Sequence, residues 1–194
     1  MAAERLRILR GELIADAQLL DGMEQKWRLI QEKLARIEPD EFDYVALAYT
    51  LANLYSVMEN YFLRVAKSFE NRLDPSQWHR DLLDRMAIDI VDVRPALLTS
   101  DERSASDELR AFRHVFRPIY QGQLDVEKLE LVDRRAPEAL AAFRGAHRRF
   151  LPILDRLIRN VSQEEPEQEC PAGRRQPRPT AQKSPGARLR GSLV

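Results

Sequence analysis

Apolar residues recur every three or four positions through most of the chain, and that spacing admits little but a helical fold. Leu6, Leu9, Leu13, Ala17, Leu20, Met23, Trp27, Ile30, Leu34 and Ile37 define a long first helix, closed by Pro39 and Asp40. Leu47, Leu51, Leu54, Met58, Phe62, Val65 and Phe69 define a second. It is rich in Ala, Leu and aromatics on more than one side, so a central position is expected. Asp74, Pro75 and Ser76 then interrupt the pattern and offer a new helix start. A third helix is predicted from Gln77 to Val91, with Leu82, Met86 and Ile90 inward, followed by a connector containing Pro95. Ser104 or Ser106 is the expected cap of a fourth helix, whose stripe is Leu109, Phe112, Phe116 and Ile119. A fifth follows with Leu140, Phe143, His147, Phe150, Leu154 and Leu157 inward; Pro137 marks its start or a break, and Pro152 a kink. No alternating run flanked by hairpin turns competes with this reading. The expected architecture is an all-α antiparallel bundle of about five helices.

Composition sets the limits of the bundle and narrows the function classes. From Ser162 to Val194 the chain holds five of its eleven prolines and no aromatic residue. Such a segment cannot bury enough apolar surface to offset its ordering entropy. The expected division is therefore a helical bundle over 1–161 and a disordered tail over 162–194. Across all 194 residues, 31 basic and 31 acidic side chains cancel, so any affinity for nucleic acid must come from local clustering. The single cysteine, Cys170, lies in the tail away from any histidine; no disulfide within the chain follows from it, and a reducing compartment is expected. Charges interrupt the first twenty residues every few positions, so neither a signal peptide nor a membrane span is expected there. A soluble, cytoplasmic protein is the prediction.

The densest chemistry lies in Phe112–Gly122, FRHVFRPIYQG. Arg110, Arg113, Arg117 and Tyr120 step by three, four and three, which puts them on one helical face beside the Phe112 and Phe116 stripe. Such a ridge can donate to phosphate oxygens and stack on bases, although a solvated face paired with nearby acids fits the same spacing. His79, beside Trp78, reads as a packing or hydrogen-bonding residue at a helix start, and His147 as a satisfied histidine on an apolar seam. No histidine pair has ligand spacing with a third group, so neither a metal site nor another cofactor is expected. Glycine-rich phosphate loops and the serine nucleophile motif are also missing from the sequence. Within the second helix, Asp43, Asn53, Glu59 and Asn60 are the polar inventory; Glu59 and Asn60 interrupt an apolar surface and need partners, for which Arg113 or Arg117 is the expectation.

Several separated blocks, NYFLRVAKSFENRL, WHRDLLDRM, RPALL, DELRAFRHVFRPIY and a following LD, resemble in the same order the HepT-like branch of the HEPN superfamily. The resemblance spans about residues 40–160. It implies a HEPN-like helical bundle and a ribonuclease toxin of a toxin–antitoxin module, paired with an MntA-like nucleotidyltransferase antitoxin. Further implications are a homodimer whose two copies form the RNA cleft, and AMP transfer to the motif tyrosine. The family signature is an arginine, a polar residue, three further residues, a histidine, one residue and a tyrosine. Arg113 matches the arginine, His114 the polar position and Tyr120 the tyrosine, while Pro118 occupies the histidine position. Proline has no proton to exchange and no N–H for the carbonyl of His114. The resemblance thus implies Arg113 as the catalytic charge, with His114 as a displaced acid–base. Arg110 and Arg117 become RNA contacts and Tyr120 the modified position. A catalytically inactive bundle that only binds RNA or the nucleotidyltransferase is the alternative.

Overall fold

The computed structural model describes residues 2–36, 38–70, 78–116 and 124–164. Five helices make up the bundle: α1 (Ala2–Arg36), α2 (Glu41–Phe69), α3 (Trp78–Met86), α4 (Ser100–Phe116) and α5 (Val126–Glu164). No strand occurs among the described residues. The all-α bundle expected from the periodicity is therefore the observed fold. Residues 165–194, Cys170 included, lie outside the described residues, and α5 continues through Ser162 to Glu164, past the composition change.

Between α1 and α2 the chain turns at Pro39 and Asp40 as the sequence indicates. Asp40 caps α2 by accepting from the Asp43 N–H at 3.0 Å, and the Asp43 carboxylate accepts from the Asp40 N–H. Lys33 of α1 closes on Asp43 as well. Asp43 is thus a capping residue rather than part of a site. Beyond this cap α2 becomes the hub of the molecule, touching each of the other four helices. Its Leu47, Leu51, Leu54, Met58, Phe62 and Val65 are at most 1 % exposed. Each such side chain contributes about 1.5–3 kcal/mol relative to its exposed state. Tyr61, Phe62 and Phe143 meet edge-on or tilted at the centre, where α5 lies against α2.

α3 is shorter than its apolar spacing predicts. It ends at Met86, and Ile90 lies in a turn, half-buried, instead of facing inward from a helix. The cause is Arg94, whose side chain is fully buried and pairs with Glu70 at 2.5 Å. Its guanidinium also donates to the carbonyls of Arg85 and Ile88, which satisfies helix-end acceptors without another turn of helix. The N–H groups of Leu97 and Leu98 then both donate to the Met86 carbonyl and bring the connector back across the helix end.

Neither predicted serine caps α4. Thr99 does: its hydroxyl accepts from the Glu102 N–H, and the Glu102 carboxylate accepts from the Thr99 N–H. This reciprocal pair is a capping box. Ser104 and Ser106 lie inside the helix and donate back to carbonyls four residues earlier, as mid-helix serines do. Arg149 reaches from α5 to Glu102 at 2.6 Å and to the Leu97 carbonyl, fastening the start of α4 to the bundle.

α5 runs unbroken through Pro137 and Pro152, where the sequence suggests a start or break and a kink. Both prolines face solvent, so the carbonyls that lose a helical donor open onto water. On its other side Leu129, Leu140, Phe143, Phe150 and Leu154 are buried and hold the helix to the core. Contacts of Trp27 with Asp133 near one end, and of Arg7 with Ser162 near the other, set α5 antiparallel to α1. No helix of the described residues is long and apolar enough to cross a membrane.

Candidate functional site

The fourth helix places Arg113 against α2. Its Nε donates to Ser56 Oγ at 2.8 Å, and its Nη1 lies 2.9 Å from Glu59 Oε2. The glutamate is deeply buried, its side chain 4 % exposed, while the Arg113 side chain keeps 18 %. A buried carboxylate needs a charged or hydrogen-bonding partner, and the arginine supplies both. The expected contact between Glu59 and an arginine of the fourth helix is therefore present, made by Arg113. Arg117 lies outside the described residues.

Ser56 and Glu59 are three residues apart on α2, which stacks them one turn from each other under the guanidinium. Ser56 donates its hydroxyl proton to the Ala52 carbonyl at 2.9 Å, so toward Arg113 its oxygen acts as acceptor. That fixes the Nε direction. Tyr55 adds a third contact: its ring lies 5.9 Å below the guanidinium carbon, within cation–π range. The Tyr55 hydroxyl is buried and has no hydrogen-bond partner among the described residues. Burial, reinforced by the charge of Glu59, pushes its ionisation far above the ordinary tyrosine range, so it remains a neutral phenol.

The other predicted site residues distribute unevenly. Arg110 lies half-buried on the same side of α4 and pairs with Asp107 at 2.5 Å. That hydrogen bond strengthens its protonation. His114 is exposed. Consecutive helical residues point about 100° apart, so with Arg113 turned inward His114 is directed elsewhere. Pro118 and Tyr120 lie outside the described residues, as does Ile119. Phe112 and Phe116 stack at 5.6 Å and pack against the bundle's own core.

Away from this face, Asn60 is exposed and lines a groove between α1 and α2 with Glu12, Arg64 and Lys67, so it does not share the surroundings of Glu59. His147 behaves as the satisfied seam histidine its position suggests. It is half-buried, stacks on Phe143 and lies 3.2 Å from the Tyr61 hydroxyl. Burial lowers its pKa below the usual histidine value, which favours the neutral ring. His79 falls within α3, and its side chain is outside the described residues. Among the described residues no three His, Cys, Asp or Glu side chains gather as metal ligands.

The assembled site is thus one arginine aimed by a serine, a carboxylate and an aromatic ring. A second arginine stands one turn away. A family profile described as HepT-like protein matches residues 46–167, which takes in both the α2 and the α4 contributions. The chain belongs to the HepT-like family. No curated protein and no solved structure matches it. In this HepT-like chain the residues that sequence reading missed are Tyr55 and Ser56. Ser56 carried a legible signal, since it precedes Glu59 by three positions on the same helix; Tyr55 reads as ordinary core.

Proposed function

We propose that this chain is the ribonuclease toxin of a toxin–antitoxin module, acting in the cytoplasm and cutting RNA without a metal at a cleft between two copies. The observation that carries this reading is Arg113, held by Ser56 and Glu59 with part of its side chain still exposed. A planar guanidinium set in advance can stabilise the charge that develops on a phosphate as the ribose 2′-oxygen attacks it. Arg110 and Arg117 bind flanking phosphates, and His114 supplies proton transfer. A second reading, a HepT-like bundle that binds RNA without cutting it, draws support from the proline at position 118 and from the outward position of His114.

Cleavage of a defined RNA by the purified protein, its Arg113→Ala variant and its Pro118→His variant separates the two. The toxin reading expects cleavage that Arg113→Ala removes. Cleavage equal in all three proteins is contaminating nuclease and overturns it. If the natural protein only binds RNA while Pro118→His cuts it, the second reading holds. The gain expected from a restored acid–base group is about a hundredfold to ten-thousandfold.

The same reading gives the chain an MntA-like nucleotidyltransferase as antitoxin, with Tyr120 as the acceptor of AMP. An adenylyl group there would bring a phosphate anion into the cleft and repel RNA. Incubation with that partner and ATP should add the mass of AMP to the peptide containing Tyr120. An unchanged mass, with the partner active on itself or another substrate, excludes the modification.

A further inference from the structure

The turn between α3 and α4 displays a group of aliphatic side chains that the bundle does not use. Ile88, Val91 and Val93 are 54 %, 78 % and 42 % exposed. Ile90 and Arg94 exchange backbone hydrogen bonds of 2.9 and 3.0 Å, and the three residues between them close a tight turn. Asp92 at its tip has φ of 60°, a left-handed conformation that is uncommon outside glycine. Arg94 braces the turn from below through Glu70 and the carbonyls of Arg85, Ile88 and Pro95. A fully buried arginine with that many partners anchors the base of the turn.

The surroundings are acidic. Asp89 and Asp92 are exposed between the aliphatic residues. Beside them opens a pocket of about 350 Å³ lined by Glu70, Asp81, Asp84, Arg85, Ile88 and Ile90. Glu70 is neutralised there by Arg85 and Arg94, and Asp84 by Arg103 at 2.7 Å, so Asp81, Asp89 and Asp92 leave the face net acidic. The surface therefore pairs an aliphatic knob with carboxylates and a recess large enough for a side chain. Phosphate backbones and anionic lipid surfaces are repelled by that charge. A second copy is also disfavoured, because a two-fold contact through the turn sets Asp89 and Asp92 against their own equivalents.

We propose that the 88–93 turn is a docking knob for a different protein, one that offers an apolar socket ringed by Lys or Arg and inserts a basic side chain beside Asp81. Preorganisation suits the task, since a braced turn loses little conformational freedom when it docks. This inference stands apart from the RNA reading, because the knob shares no residue with the Arg113 site.

The test places a photo-crosslinking amino acid at position 91 of the full chain in its native host, with Leu131, another exposed aliphatic position, as control. A protein captured from position 91 and not from 131 is identified, purified and titrated against the natural chain and against Val91→Asp, Val91→Ile and Asp89→Lys with Asp92→Lys. The expected result is a Kd raised at least about tenfold by Val91→Asp and by the paired lysines, and kept by Val91→Ile, as for loss of a buried apolar anchor and its charge complement. Melting temperatures of the Val91 variants should stay close to that of the natural protein, since that side chain is exposed, while the paired lysines lower it modestly because Asp92 sits at a left-handed φ that lysine adopts less readily. No capture from position 91, the same capture from both positions, capture of a second copy of this chain, or a Kd unmoved by Val91→Asp each overturns the proposal.

Discussion

Arg113 is the residue at which fold and chemistry meet. Its guanidinium is tied to Ser56 and Glu59 by two of its nitrogens, so it is aimed before any ligand arrives. The energetic weight of that aim can be read from a double-mutant cycle on thermal or denaturant stability with Glu59→Gln, Arg113→Gln and the pair. For a charge-assisted hydrogen bond at a largely buried carboxylate, a coupling of about 1.5–3 kcal/mol is expected. A coupling within error of zero would mean that the two groups do not hold each other. Under the proposed function, RNA affinity in the same four proteins should fall with Glu59→Gln even though Glu59 carries negative charge, because an arginine without its anchor must be ordered at binding.

At the level of elements, the sequence made some features plain and concealed others for physical reasons. α1 and α2 were legible because their apolar residues keep the helical step for many turns and a proline–aspartate pair separates them. The Glu59–arginine contact was legible too, since a charge inside an apolar stripe demands a partner across the bundle. The end of α3 was not: Leu82, Met86 and Ile90 keep helical spacing, and only the burial of Arg94 with Glu70 shows why the helix stops at Met86. Serines misdirected the start of α4, because Ser104 and Ser106 have the same chemistry as Thr99, and what distinguishes Thr99 is a glutamate three residues on. The prolines of α5 look like breaks until their solvent-facing positions are known. The site itself was partly legible, with Arg113 and Glu59 visible, Ser56 marked only by its spacing from Glu59, and Tyr55 hidden among residues that pass for core.

The molecule as a whole leaves an apolar strip of its central helix uncovered. Phe42, Val45 and Tyr49 are 80 %, 43 % and 63 % exposed, and Ser56 continues the same face at helical spacing. A second copy laid along this strip would meet next to Arg113, whereas Phe112 and Phe116 pack against their own core. Light scattering at micromolar concentration should give the mass of two chains for the natural protein and of one chain for Phe42→Asp with Tyr49→Asp, with helical content retained. A natural protein of single-chain mass across that range would remove the dimer from the proposed function.

α2 touches every other helix and also carries the serine, carboxylate and ring that aim Arg113. Support for that charge and support for the fold are thereby lodged in one rod. A substitution in α2 that loosens the grip on the arginine also perturbs the hub on which the other helices rest, so the aim of the guanidinium and the stability of the bundle are coupled.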